Sequence, residues 1–396
     1  MQQVIVGKSA IQMEQVKLCS SPDFSFIKRT RFLFCAFLFL YVNYAYGSYL
    51  KNDFRDDANT THTRGLIELL SDKLPPNIFE KDWQSMPPHN EENSAFGERY
   101  FDVYYNFTNF KIGILREEKL KTTINDGFIQ TWYYAEKDFI TLLTKSDIGN
   151  EIDTVDIDAD LNYYDAYGLF AQKIIPFYEH HFLSIKAKLY SASEIQYLDV
   201  KGYNNSSRFE LSFDYYYARK NYISKNQDGD KGYSGLGFGV DLEYIYDNDK
   251  LYIYGGILNI GSFIEWKNIT LMHYDFDSQT RYLGADGFYH LKAFGSGFYE
   301  FNVDYRQKLP MQYKATLEYS INDDFSIGTH ANGYKDLMFH ELYLSHNICG
   351  DRYKIGYMLE TKNASFGAYF KYISLEISNN FGMSSRSIQA NYHIKY

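Results

Sequence analysis

Cysteine is nearly missing from this chain: 396 residues contain 3, and two of them, Cys19 and Cys35, fall within the first 47 positions. Those positions look like an export leader. An apolar run of eleven residues, FLFCAFLFLYV (32–42), follows Lys28, Arg29 and Arg31 and precedes Ala45-Tyr46-Gly47, small residues where a signal peptidase reads. Mature protein is therefore expected to begin near Ser48, with residues 1–47 an extension plus secretory signal peptide. Cys349 is then the only cysteine left, which excludes an intrachain disulfide, a cysteine-based zinc site and a thioredoxin-type pair. Long hydrophobic runs are also absent, since the leader's run falls well short of the roughly 20 residues of a membrane-spanning helix. Basic excess is lacking as well. Without the five basic and two acidic side chains of the leader, the chain's 40 basic and 50 acidic residues become 35 and 48, a net charge of −13. That argues against nucleic acid as a partner. Proline is scarce, 7 in all, and four of these form Pro75-Pro76 and Pro87-Pro88.

Aromatic residues are abundant instead, at 19% with 40 Tyr, while the mean hydropathy is negative. The apolar residues must therefore be dispersed among polar ones, which suits pleated strands. From residue 99 onward a period of two recurs. In VDIDADLNY (155–163) Val155, Ile157, Ala159, Leu161 and Tyr163 alternate with Asp156, Asp158, Asp160 and Asn162. YEFNVDYRQ (299–307) and QYKATLEYSIN (312–322) repeat the pattern, with Glu300, Asp304 and Arg306, and then Lys314 and Glu318, on the polar side. Turn clusters such as Asp247-Asn248-Asp249, Asn322-Asp323-Asp324 and Cys349-Gly350-Asp351 separate such segments.

Many of these strands run to about ten residues, with ionised groups on one face and aromatics and aliphatics on the other. This is the pattern of an all-β protein, a transmembrane antiparallel up-and-down β-barrel wetted inside and in lipid outside. The last residues, QANYHIKY, fit a closing strand: Ile388, Ala390, Tyr392, Ile394 and Tyr396 alternate with polar neighbours up to the final residue. Tyr392, Ile394 and Tyr396 also match the C-terminal signal that the barrel-insertion machinery recognises in Gram-negative outer-membrane proteins, which the chain resembles. Residues 99–396 at roughly 20 residues per strand and connection give about 14 strands, within about 12 to 16.

Within residues 235–267, Gly237, Gly239 and Asp241 form a GxGxD strand that leads through a polar turn to Asn259, Ile260 and Gly261. This hairpin resembles one common in FadL-like and TraF-like outer-membrane barrels. The resemblance implies a barrel and, at most, transport of hydrophobic molecules. Glycine at these positions also fits plain close packing against a bulky neighbour.

Two segments interrupt the alternation. Residues 48–98 are polar, carry the paired prolines and the helical-looking GLIELLSDKL, and suggest a lead-in or plug ahead of a barrel at 99–396. Residues 125–145 have helical spacing, with Phe128, Trp132, Ala135, Phe139 and Leu142 or Leu143 on one face and Asn125-Asp126 as a start signal. A helix there between two strands has to enter the lumen or sit at its mouth, with Trp132, Phe139 and Leu143 as plug residues.

Catalytic chemistry is not evident. Thr329-His330-Ala331-Asn332-Gly333 superficially resembles the His-x-Ser-Asn-Gly segment of outer-membrane phospholipase A, but the nucleophilic serine is missing. His180-His181 point to opposite faces of a strand. His273, Asp275 and Asp277 share a face and could hold a divalent ion, although a solvated strand end explains them as well. No enzyme activity, cofactor or metal is expected. The reading is a monomeric channel in outer-membrane lipid for an unidentified small solute, passive or substrate-selective. Its lumen is lined by Asp156, Asp158, Asp160, Glu300, Asp304, Arg306, Lys314 and Glu318, whose acidic excess gives a weak cation preference. The alternative is a surface adhesin or binding protein anchored by its barrel, with residues 221–232 as the binding loop.

Overall fold

The structure, a computed structural model, describes residues 59–71, 93–128, 155–204, 209–219, 232–278, 281–283, 289–291, 294–348, 350–360, 362–370, 373–379 and 386–395. Its strands are β1 (Thr60–Ser71), β2 (Asn93–Phe107), β3 (Phe110–Ile124), β4 (Val155–Tyr178), β5 (His181–Asn204), β6 (Phe209–Ala218), β7 (Ser234–Asp247), β8 (Leu251–Leu258), β9 (Phe263–Ser278) and β10 (Arg281–Leu283). They continue as β11 (Tyr289–Leu291), β12 (Phe294–Lys308), β13 (Gln312–Ser320), β14 (Phe325–Tyr334), β15 (Leu337–Ile348), β16 (Asp351–Met358), β17 (Asn363–Tyr369), β18 (Ile373–Asn379) and β19 (Arg386–Lys395).

Followed from partner to partner, fourteen of these strands make a ring. β1 pairs with β2, then β3, β4, β5, β7, β8 and β13 follow, and β14 to β19 continue in sequence order. β19 then pairs back onto β1, with residues 388–395 opposite residues 69–62. Every pairing in the ring is antiparallel. A sheet closed in this way leaves no backbone edge unpaired, which is the condition for a β-structure in lipid. The barrel of about 14 strands expected from the sequence is thus the one the chain builds.

Burial is inverted relative to a water-soluble core. On β3, Lys111, Glu117 and Lys119 are buried, whereas Ile112 and Ile114 are 50% and 54% exposed. On β13, Gln312, Thr316 and Glu318 are buried while Leu317 and Tyr319 stand outside. Leu169, Leu189, Leu344, Ile355 and Phe366 continue this apolar outer surface. At about 25 cal/mol per Å² of apolar area, such a band is unfavourable in water and at home in lipid. The ring is a transmembrane barrel of the outer-membrane type.

The two ends differ. At one end the connections are short: Asn322 Oδ1 accepts the N–H groups of Asp324 (3.0 Å) and Phe325 (2.8 Å), and Asn248 Oδ1 those of Lys250 (2.9 Å) and Leu251 (2.6 Å). An exposed aromatic girdle of Phe107, Phe110, Phe177, Tyr178 and Tyr319 surrounds this end. Short turns mark the periplasmic side of such barrels, and β1 begins and β19 ends here. The opposite, extracellular edge of the lipid band is marked by outward ion pairs, Arg99–Glu118 and Arg116–Asp165, both at 2.8 Å. They sit just beyond Phe101, Ile114 and Tyr167 on the same face.

The wall starts earlier than expected. GLIELLSDKL is strand as far as Ser71, and β2 begins at Asn93, so neither β1 nor β2 is a lead-in ahead of the barrel. Leu66, Glu68 and Leu70 are buried on one face, so a period of two prevailed over a helical reading once β19 and β2 offered backbone partners on both sides. Residues 48–58 and 72–92 lie outside the described residues. Asn125 does start a helical turn at 126–128, accepting the Phe128 N–H at 2.9 Å as an N-cap. The rest of the expected luminal helix, with Trp132, Phe139 and Leu143, lies outside the described residues.

Beyond the lipid band the ring's order changes. The β4–β5 register shifts between Asp165 and Ala166, with Glu194 and Ala192 as partners, so Ser193 is an extra residue in β5. Past that bulge β5 leaves β7 and pairs with β6, β6 pairs with β9, and β9 with β12. This outer sheet curls back over the mouth. Gln307 of β12 accepts the Trp266 indole N–H and donates to Asn162 of β4, both at 2.9 Å. Trp266, Ile264, Ile269, Leu309, Ile195 and Ala218 pack with Tyr164 and Tyr190 of the ring into one buried core.

Candidate functional site

Inside the ring lies a chamber of about 750 Å³. It reaches the periplasmic turns, where Asp249, Asn322, Asp323 and Gly350 line it, and ends at Glu98, Glu117, Lys119 and Asn332. Above that level the packed core of Tyr164, Tyr190 and Trp266 fills the barrel. A second cluster, Leu70, Phe96, Tyr334, Leu337, Phe339 and Met358, fills it beside β1, β2 and β14 to β16. Among the described residues, then, the lumen is open below and packed above.

The ceiling is an ion-pair network carried by inward positions of six strands. Lys188 of β5 reaches Asp241 of β7 at 2.9 Å, Glu117 of β3 at 3.4 Å and the Asn259 side-chain oxygen at 2.9 Å. Lys119 lies 3.3 Å from Glu117 and 3.4 Å from Glu98, and donates to Gln312 of β13 at 3.1 Å. Tyr164 and Tyr190 donate their hydroxyls to Glu117, the latter at 3.2 Å. On the far side Lys314 reaches Glu98 at 3.2 Å and Glu68 at 3.8 Å.

The glycine hairpin seen in the sequence builds this ceiling. A Cβ on Gly239 would lie 3.1 Å from Lys188 Cε, and one on Gly237 would lie 2.6 Å from the Phe263 carbonyl oxygen. The two glycines thus let Lys188 and β9 approach β7. Asn259 takes a left-handed φ of 62° and Gly261 one of 60°, which turns the chain from β8 into β9. The Asn259 backbone N–H donates to Asp241 Oδ1 at 2.9 Å and so orients the carboxylate that holds Lys188. Close packing and the motif resemblance describe the same residues.

Lower on the wall, Arg352 pairs with Glu318, which also accepts from Tyr343 at 2.9 Å. Lys354 bridges Glu341 and Glu376, both at 2.6 Å. Across the chamber Arg64 makes a two-pronged pair with Asp102 at 3.0 and 2.6 Å. The chamber lining as a whole carries eight basic and eight acidic side chains. That balance removes the basis for the expected cation preference.

Of the eight lumen candidates, Lys314 and Glu318 line the chamber. Asp156, Asp158 and Asp160 sit on the extension of β4 beyond the lipid band, the first two exposed and the third half-buried. Glu300, Asp304 and Arg306 are not luminal: they lie exposed on β12, outside the ring, with Arg306 3.2 Å from Glu265. Their alternation is genuine, but a period of two does not say which sheet a strand joins. Of the assembly-signal residues, Tyr392 and Ile394 are half-buried on the outward face of β19, where the Tyr392 ring covers Gly65, and Tyr396 lies outside the described residues. The residues sequence reasoning missed are Arg64, Asp102, Glu117, Lys119, Lys186 and Lys188. A signal for two of them exists in FLSIKAKLY (182–190), where lysines alternate with aliphatics in mid-strand.

His273 stands on the outer sheet between Asp214 (2.6 Å) and Asp275 (2.8 Å). Both ring nitrogens are thereby spent on carboxylates, Asp214 and Asp275. The hydrogen bond to Asp214, then that to Asp275, raises the His273 pKa above its ordinary value. Among the described residues no group of three or more His, Cys, Asp or Glu is arranged to hold a metal ion. His330 lines the chamber and meets the Thr316 hydroxyl at 2.9 Å.

No protein-family model and no curated protein matches the chain. Among solved structures it is similar to a monoaromatic hydrocarbon channel, the TodX deltaS2S3 mutant, at 10% identity over 87% of this chain and 91% of that one, with a TM-score of 0.43. It is also similar to the translocator domain of the autotransporter NalP from Neisseria meningitidis, at 8% identity over 94% and 97% of the two chains, with a TM-score of 0.28. At this level of likeness the fold rests on the chain's own strand pairings and inverted burial.

Proposed function

We propose that this chain is a monomeric channel for small solutes in the outer membrane of a Gram-negative bacterium, passive or substrate-selective. In the state described it is shut on the extracellular side. The carrying observation is the chamber within a closed, lipid-facing ring, which among the described residues is open to the periplasm and roofed by the Lys188 network. A barrel serving only as an anchor has no need of such a space. Lipid surrounds the apolar band, and the insertion machinery would engage the β19 end. Covalent chemistry has no part in this reading.

Planar-bilayer recording tests it. Folded wild-type chain should give stable current steps, and Lys188→Met, which loosens the roof, should give larger or more frequent ones. Silence from both, with the barrel folded, would overturn the channel. One observation favours a second reading, a surface-binding protein: the outer sheet aligns Asp160, Asp199, Asp214 and His273 in one row across four strands. A silent barrel whose outer sheet mediates cell binding would establish that reading instead.

A further inference from the structure

Among the described residues, Lys186 is the buried lysine of the chamber wall that has no carboxylate in hydrogen-bonding range. It is 7% exposed and lines the space, yet its hydrogen bond goes to a neutral group, the Tyr100 hydroxyl at 2.6 Å. The nearest carboxylate, Asp102, stands 4.0 Å away. Both Asp102 oxygens are already committed, one to Arg64 at 3.0 Å and the other to Arg64 at 2.6 Å and Tyr100 at 2.7 Å. Asp241, opposite Lys186 in the β5–β7 register, turns to Lys188. The Phe170 ring, 4.1 Å away, covers one side of the ammonium group. Among the described residues, two of its three N–H donors have no partner in hydrogen-bonding range.

Directly opposite Lys186 in the β4–β5 register stands Gln172, which also lines the chamber and is 5% exposed. Its amide nitrogen donates to Ser184 at 2.8 Å and towards Glu243 at 3.4 Å, so the amide orientation is set by a carboxylate. Its Oε1 is buried and, among the described residues, has no partner. Side chains directly opposite on neighbouring strands start about 5 Å apart. An unspent cationic donor and a buried, unspent neutral acceptor therefore belong to neighbouring residues of the chamber wall.

We infer that Lys186 and Gln172 form a subsite for a small hydroxycarboxylate entering from the periplasmic side. Lys186 takes the carboxylate in a charge-assisted hydrogen bond, and Gln172 Oε1 accepts from the adjacent hydroxyl. The inference rests on the channel reading for its biological sense but not for its test. Full-length chain folded in detergent is titrated calorimetrically with sodium lactate, sodium propionate and 1,2-propanediol. Lactate should bind tightest, propionate more weakly, and the diol should give no measurable heat. Lys186→Met should weaken lactate at least roughly tenfold, as loss of a charged hydrogen bond implies. Gln172→Leu, which keeps the charge, should erase the difference between lactate and propionate. Heat-modifiable gel migration confirms that each variant is folded. Lactate binding no tighter than the diol, or a folded Lys186→Met that binds it undiminished, overturns the subsite; so does a Gln172→Leu that still prefers lactate. A chain that binds lactate but never conducts would sink the channel reading alone.

Discussion

Replacing Lys188 by Met tests whether the roof is held by charge pairing or merely by packing. The side chain is 2% exposed and its partners are buried too, with Glu117 at 1% and Asp241 at 7%. Removing one partner of a buried pair costs about 3–5 kcal/mol, chiefly because the other charge is left without compensation. The two carboxylates should suffer unequally. Glu117 keeps Lys119 at 3.3 Å and the hydroxyls of Tyr164 and Tyr190. Asp241 keeps the Asn259 backbone N–H at 2.9 Å. Most of the loss should therefore come from Asp241, and adding Asp241→Asn to Lys188→Met should bring stability back to within about 1–2 kcal/mol of wild type, since only neutral hydrogen bonds remain unmade. Urea titration of the chain folded in lipid vesicles, read by heat-modifiable migration, measures both differences. A loss under about 1 kcal/mol for Lys188→Met, against the 3–5 expected of a broken buried pair, would refute this account. A double variant no more stable than the single one would refute it equally.

Three further outcomes are expected. Gly237→Ala should destabilise the barrel by about 1–3 kcal/mol, the usual cost of overpacking, because its Cβ would meet the Phe263 oxygen at 2.6 Å and Ile264 Cγ1 at 2.8 Å; unchanged urea stability would contradict it. Tyr392→Ala uncovers Gly65 at the β1–β19 seam, where a ring now lies over the glycine, and should lower the yield of heat-modifiable protein; normal yield would count against a role for that ring in closure. The His273 pKa is raised in the folded state, so its contribution is fully present below the unfolded value of about 6.5 and fades as pH rises through the higher folded value. Hydrogen-exchange protection of β6 and β9 should accordingly be stronger at the acid end of that window, with the dependence lost in His273→Phe; protection that ignores pH in wild type would be the contrary result.

Much of the fold could be read without coordinates because a membrane barrel writes its environment into alternate residues. Leu317 and Tyr319 face lipid and Thr316 and Glu318 face the lumen, so the period of two in QYKATLEYSIN carries the whole argument for that strand. The polar turns at Asn248 and Asn322 follow from equally local rules. GLIELLSDKL misled because a short apolar run fits a helix as well as a strand, and only the partners β2 and β19 decide between them.

Tertiary structure alone decided where each alternating strand belongs and which charges meet. Glu300, Asp304 and Arg306 obey the same period as Lys314 and Glu318, yet the bulge at Ser193 and the turn at Asn259 carry β12 out of the ring and leave β13 within it. The roof has the same origin. Glu117, Lys188 and Asp241 are each separated by more than fifty residues and meet because strand tilt and register bring their inward faces to one level. Alternation specifies which face a side chain takes; the closure of the sheet specifies what it finds there. That is why Lys188 and Lys186, two residues apart on β5, end in opposite situations, the first paired on two sides and the second, among the described residues, with donors still free.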